Sequence, residues 1–341
     1  MSPYSINKKN KISVSGFASQ SSVNDYDTKA AKGRRIGVIG LDTSHAPVFS
    51  EPFNLKNASP DLLGYKVVAA YPWGSREIEF SRSRIPRFTE DVRKMGIEIV
   101  DSISDLLKKT DVILLLTNDG QVHLEQALQV FKAGKRVFID KPFVAALPDA
   151  FAIFQAAKEL KVPTFSSSSA RYCPSLMEIA NNRNIDQVMG ATSFNPCTLE
   201  KTHSDFFWYG IHGVEMLYTL LGTGCQSVSR THTQRTDFSV GLWKDNRIGT
   251  YRGTRDGEFT SGGIAFCQKE IRRWDGFDNL EPFLKTVAGF FQSGIPPVAH
   301  EETLEIYTFM EAADESKRQG GASISLEETK QKALAQVKKV W

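Results

Sequence analysis

The sequence has no apolar run approaching the length needed to cross a membrane, so no spanning helix organises it. Cysteine is scarce: Cys173, Cys197, Cys225 and Cys267 are widely spaced and form no C-x-x-C, which argues against a disulfide framework and against zinc-ligand spacing. No metal site is expected. A large excess of charge is missing too, since the formal net charge is only +3. Seven Lys and Arg in residues 1–35 stand against Asp25 and Asp27, so the remainder is slightly acidic. That leaves no basic footprint for nucleic acid. Residues 1–33 are Ser-, Asn- and Lys-rich without the continuous apolar core of a signal peptide, and read as a disordered extension. The cytoplasm is the default compartment unless a truncated start has removed an export signal.

A fourth shortage bears directly on function. Arg34–His45, RRIGVIGLDTSH, runs from a short apolar stretch into a turn at Gly40. The apolar residues suit a strand buried on both faces, and Asp42, Thr43 and Ser44 are good helix N-caps. Strand, tight turn and helix N-terminus make the geometry that holds a dinucleotide pyrophosphate. The G-x-G-x-x-G fingerprint would place glycine at 40, 42 and 45, yet only Gly40 is present, with Asp42 and His45 at the other two positions. A carboxylate about 4 Å from a phosphate costs roughly 4 kcal/mol at an effective dielectric near 20. Either Asp42 turns away, for instance to cap the helix, or the loop does not hold a pyrophosphate in the usual manner.

What the chain does contain is a regular alternation. Tyr65–Tyr71, Ile97–Val100, Asp111–Leu116, Lys135–Ile139 and Thr164–Ser168 read as further strands, with helices between them over 89–95, 104–109, 122–133 and 148–160. This predicts a doubly wound parallel sheet in an α/β domain over 34–170. Beyond it, 187–194, 227–233, 238–243, 248–253 and 262–267 look like strands with few helices between them, an α+β domain over 171–341 with a mostly antiparallel sheet. One helix, 205–221, interrupts it, and helices over 279–292, 301–319 and 326–339 close the chain.

Ligands bind outside the carboxyl ends of such parallel strands. The polar residues expected there are Asp42, Thr43, Ser44 and His45; Ser75 and Arg76; Thr117, Asn118, Asp119 and His123; and Asp140 with Lys141. Tyr71 stands where an acid would favour NAD, whereas Ser75 and Arg76 lean toward NADP. Lys141, held extended by Pro142, is placed to act as acid–base or to hold a substrate oxygen. His212 lies in an aromatic helix with Glu215 one turn on, placed to orient the imidazole, and Asp205 on the same face.

Four pieces of the chain resemble the glucose–fructose oxidoreductase, inositol dehydrogenase and rhizopine-catabolism protein family (Gfo/Idh/MocA): RRIGVIGL, TNDGQVHLEQALQVFKAGKRVFIDKPF, SSARYCPS and ETLEIYTFMEAADESKRQGG. The second piece is similar to the family segment ending in Glu-Lys-Pro, so Lys141 matches the catalytic Lys and Asp140 replaces the Glu. His123 matches the His opening the preceding helix. In the family's Asp-x-x-x-His-x-x-Asp helix, His212 matches the His and Glu215 the last acid, while Trp208 stands at the first Asp. Arg171 falls where the family enters its second domain near the cleft, either to meet cofactor or an anionic substrate or to form a structural salt bridge. The resemblance implies a Rossmann domain, a C-terminal domain with a large open sheet, and a homodimer or homotetramer formed through that sheet. It also implies an NAD- or NADP-dependent oxidoreductase acting on a sugar or cyclitol hydroxyl, with Trp208 and Tyr209 stacking on the ring. An NAD-assisted glycoside hydrolase or isomerase, and a non-catalytic sugar-binding or assembly protein with a degenerate cofactor site, are the alternatives.

Overall fold

Buried apolar runs set the first sheet. In the computed structural model, which describes residues 33–182, 186–276 and 279–339, the expected N-terminal extension lies, except for Gly33, outside the described residues. Strands β1 (Arg35–Ile39), β2 (Lys66–Tyr71), β3 (Glu98–Ile99), β4 (Val112–Leu115), β5 (Val137–Ile139) and β6 (Thr164–Ser166) form a parallel sheet in the order β3-β2-β1-β4-β5-β6. β4 is wholly buried, as its run of Val, Ile and Leu requires of a strand covered on both faces. Each such side chain removed from water is worth about 1.5–3 kcal/mol. The order reverses at β1 and β4, the switch point where a crevice opens above the strand ends.

The second sheet contains β7 (Val188–Pro196), β8 (Cys225–His232), β9 (Thr236–Trp243), β10 (Ile248–Thr254), β11 (Gly262–Cys267), β12 (Ile271–Asp275) and β13 (Ile324–Ser325), in the order β12-β11-β7-β10-β9-β8-β13. Only β7 and β10 run parallel; the other pairs are antiparallel. Helix Ile211–Leu221 lies on its inner face so closely that a Cβ at Gly213 would enter the Tyr251 ring. Among the described residues no element covers the outer face, where the register pairs Ile248 with Leu242 and Thr250 with Val240, and sets Arg252 between Phe194 and Phe238.

Two core clusters tie the sheets together. One joins the β4–β5 side of the first sheet to helix Leu147–Glu159 and on to the second sheet. The other is closed by helix Glu281–Ser293, from late in the chain, whose Phe283 meets Phe49, Phe138 and Tyr172. Arg136 fastens the same helix by donating to the Phe291 carbonyl at 2.7 Å. Packing therefore holds the crevice between the sheets as a fixed frame.

The helix expected over 205–221 is two helices, Asp205–Trp208 and Ile211–Leu221. At the break the Tyr209 carbonyl accepts from Asn195 at 2.8 Å and from the His212 N–H at 3.3 Å, an i+3 bond in place of the i+4 bond of a continuous α-helix. A further helix, Pro174–Asn181, follows β6, and the last helix spans Leu326–Leu334. No helix among the described residues is long and apolar enough to cross a membrane.

Candidate active site

Gly40 makes the first turn with φ +97, and a Cβ there would collide with the Thr117 backbone, so glycine is required on both counts. Asp42 then turns inward. It is fully buried, and its carboxylate accepts from the Ser75 N–H at 3.2 Å and the Asn118 N–H at 3.0 Å. It caps no helix: the first helix, His45–Asn54, begins without a side-chain cap. Burial pushes the Asp42 carboxyl up to about 6, against the pull of those two N–H donors.

The residues around Asp42 are bonded to one another. Ser75, after β2, donates to Asp119, after β4, at 2.6 Å, and Asn118 donates to Ser81 at 3.3 Å. Arg84 donates to the Asp42 carbonyl at 2.7 Å while its guanidinium lies on the Phe80 ring at 3.7 Å. Because β2 and β4 flank β1, the Ser75–Asp119 bond passes over the carboxyl end of β1. At the helix start the His45 N–H goes to Thr43 Oγ1, the Ala46 N–H to the Thr43 carbonyl, and Pro47 has none to give. Thr117 and His123 also face inward. Thr117 donates to Gln126, and both nitrogens of the fully buried His123 ring meet carbonyls, those of Phe143 and Thr117. The expectation that His123 meets a cofactor is corrected: it pins two loops together. Arg76 is exposed, 5.4 Å over the Trp73 ring.

Past β5 the arrangement differs. His45 donates from Nδ1 to Asp140 at 2.5 Å and stacks on Phe49. Burial acts to raise the Asp140 carboxyl, but His45 and Lys141 outweigh it and hold it below its ordinary range. Lys141, joined to Pro142 by a cis peptide rather than running straight out, is 6% exposed. Its amino group lies 5.1 Å from the Tyr209 ring centre and makes no hydrogen bond among the described residues.

His212 faces the same space from the second domain. Its Nδ1 shares a 2.6 Å hydrogen bond with Ser168 Oγ, which also accepts from the Ala170 N–H. Burial, then the positive charges of Lys141 and His45, push the imidazole down to about 3, so the ring is neutral at ordinary pH. With Nδ1 donating to Ser168, Nε2 is left as a lone-pair nitrogen.

Several expected contacts are corrected by their actual partners. Glu215 does not touch His212; it accepts from Ser167 Oγ at 2.5 Å, the Ser168 N–H at 2.7 Å and Arg171 at 2.8 Å. Arg171 is clamped between Glu215 and Glu302, so its charge is already satisfied and is not offered to a ligand. Asp205 pairs with Arg230 and Lys317, each at 2.7 Å, in an ion cluster that also holds Asp237 and Asp314. Trp208 is buried against His203, leaving Tyr209 as the accessible ring.

Ser168 and Arg84 are the site residues that sequence reasoning passed over. Ser168 carried a signal, since it follows the last parallel strand within a run of four serines. Arg84, between two short helices, carried none. Among the described residues no three His, Cys, Asp or Glu side chains cluster as a metal site.

Residues 34–168 match the model of the oxidoreductase family with an NAD-binding Rossmann fold, Gfo/Idh/MocA. No curated protein matches the chain. Among solved structures, a probable dehydrogenase from Thermotoga maritima is 20% identical, with TM-score 0.70, covering 86% of this chain and 99% of its own. The scyllo-inositol dehydrogenase from Lactobacillus casei, solved with NAD(H) and scyllo-inositol, is 13% identical, with TM-score 0.68 and coverage of 87% and 100%. The WlbA dehydrogenase from Bordetella pertussis, solved with NADH and UDP-GlcNAcA, is 17% identical, with TM-score 0.66 and coverage of 88% and 98%. At such identities these likenesses establish the fold of the whole described chain. The six-stranded parallel sheet and its switch point lie within the matched segment: over residues 34–168 the chain is similar to the Gfo/Idh/MocA oxidoreductase family with its NAD-binding Rossmann fold.

Proposed function

We propose that the protein is an NAD(P)-dependent oxidoreductase acting on a hydroxyl of a sugar, sugar derivative or cyclitol. The observation that carries the reading is the meeting of Lys141 and His212 in one crevice. Two nitrogen groups from different domains, neither with a carboxylate bonded to it, face the same space beside an accessible Tyr209 ring. A hydroxyl oxygen placed between them is held by the Lys141 amino group while His212 Nε2 takes its proton. Ser168 holds the ring orientation, and Tyr209 supplies a flat surface for a sugar or cyclitol. The family's inositol and UDP-sugar acid neighbours support that substrate class.

A nicotinamide would supply hydride chemistry when bound. The Lys141 end suits a nicotinamide and its substrate. The β1 end, with its helix donors used and Ser75 bonded across it to Asp119, does not accept a diphosphate or adenosine in this arrangement. The exposed Arg76 supports NADP over NAD, as a partner for a 2′-phosphate. The closed end favours a second reading, a sugar-binding protein without catalysis.

Turnover of a sugar and cyclitol panel with either nicotinamide, followed by absorbance, decides between them. Lys141→Met should lower kcat/KM by at least about 100-fold with cofactor affinity little changed. Retained turnover in that variant removes Lys141 from its role. For the assembled protein we propose a homodimer through the outer face of the second sheet, where Leu242 and Ile248 are exposed as a cross-strand pair. Sedimentation at the monomer mass would reject it.

A further inference from the structure

The bonds above β1 form a closed set. Ser75 and Asp119 join the loops after β2 and β4 at 2.6 Å. Beneath that bond, Asp42 takes one backbone N–H from each loop, and a Cβ at Gly74 would come within 2.6 Å of the Asp42 Cβ. Asn118 holds Ser81, and Arg84 holds the Asp42 carbonyl, so the segment from Trp73 to Arg84 is drawn down across the strand ends. Asp42, Ser75, Ser81, Asn118 and Asp119 are all at most 3% exposed. A dinucleotide running from the β1 turn toward the end of β2 would have to pass where these groups already meet.

We propose that this segment is a strap closed over the adenosine half of the groove, latched by Asp42 and the Ser75–Asp119 bond, and that a dinucleotide binds only when the latch opens. The proposal rests on the oxidoreductase reading and adds a gate to it. The chemistry suits a gate rather than a permanent seal. The latch is made of hydrogen bonds among polar side chains and backbone N–H groups, and a diphosphate or ribose can take over those donors once Asp42 lets go. The buried carboxylate occupies the donors in the ligand's absence, as an internal anion. Apparent cofactor affinity then equals the intrinsic affinity reduced by the fraction of open molecules, so weakening the latch raises affinity.

The test uses the full-length wild-type protein with Ser75→Ala and, as a second and nearly isosteric cut, Asp42→Asn, each checked for cooperative thermal unfolding. NAD+, NADH, NADP+ and NADPH are titrated into each, and the binding rate is followed by stopped-flow fluorescence of the reduced forms. The expected result is a wild-type rate that saturates with cofactor concentration, and at least a tenfold gain in affinity in either variant. Equal affinity in all three proteins, with a rate linear in concentration, overturns the latch and leaves the oxidoreductase intact. Failure of every folded variant to bind any of the four at millimolar concentration overturns both.

Discussion

The two ends of one crevice show opposite treatments of polar side chains. At the β1 end nearly every polar group is spent within the chain: Asp42 on two backbone N–H groups, Ser75 on Asp119, Asn118 on Ser81. At the β5 and β6 end Lys141 and His212 keep their reactive nitrogens unbonded, while the groups behind them, Asp140, Ser168 and Glu215, are fully engaged. Unmet hydrogen-bonding capacity at a buried position is unfavourable unless a ligand meets it. The contrast supports the proposals of chemistry at the second end and closure at the first.

The supporting bonds of the reactive end can be broken singly, and Ser168 gives the largest effect among them. Ser168→Ala removes the partner of His212 Nδ1 but leaves the Ser168 N–H bond to Glu215 in place. The expected outcome is a fall in kcat of about tenfold, near 1.4 kcal/mol, with KM nearly unchanged. Ser168→Thr, which restores the hydroxyl, should recover most of it. A lowered Tm with unaltered kcat would instead make Ser168 a structural residue, and the two ends would then differ less than their hydrogen bonds imply.

How far this contrast was legible in the sequence follows from the range of the forces involved. The parallel strands were legible because runs such as Val112–Leu115 have one stable destination, and the crevice follows from their order. Lys141 and His212 stood out by residue type and position. Strands β12 and β13 did not, since one carries two adjacent arginines between Ile271 and Trp274 with no period-2 alternation and the other is two residues long. The fate of the β1 end was equally hidden. Asp42 finds its partners 33 and 76 residues away, and Arg171 finds Glu302 131 residues away, so neither direction is written in local spacing. At the break before Ile211 the Tyr209 carbonyl accepts from Asn195, 14 residues away, which no periodicity reports.

The smallest expected effect tests the comparison through protons. Burial disfavours the charged form of both Asp42 and His212 and so moves them in opposite directions: it lifts the acid from 3.8 to about 6 and drops the base from 6.5 to about 3. For Asp42 the folded chain binds the proton more tightly than the unfolded chain, so its contribution to stability declines as pH rises from 3.8 to 6. For His212 the unfolded chain binds the proton more tightly, so its contribution is complete above 6.5 and declines as pH falls toward 3. Thermal unfolding of wild type, Asp42→Asn and His212→Gln between pH 4 and pH 6.5 separates the two. The difference in Tm between wild type and Asp42→Asn should shift by a few degrees against Asp42 as pH rises. That between wild type and His212→Gln should shift by a similar amount in favour of His212. Parallel slopes would mean that one ring or carboxylate is more open to water than its bonding indicates. For Asp42 that would make the latch already loose; for His212 it would bring the imidazole back toward its ordinary range, where it takes a proton more readily at neutral pH.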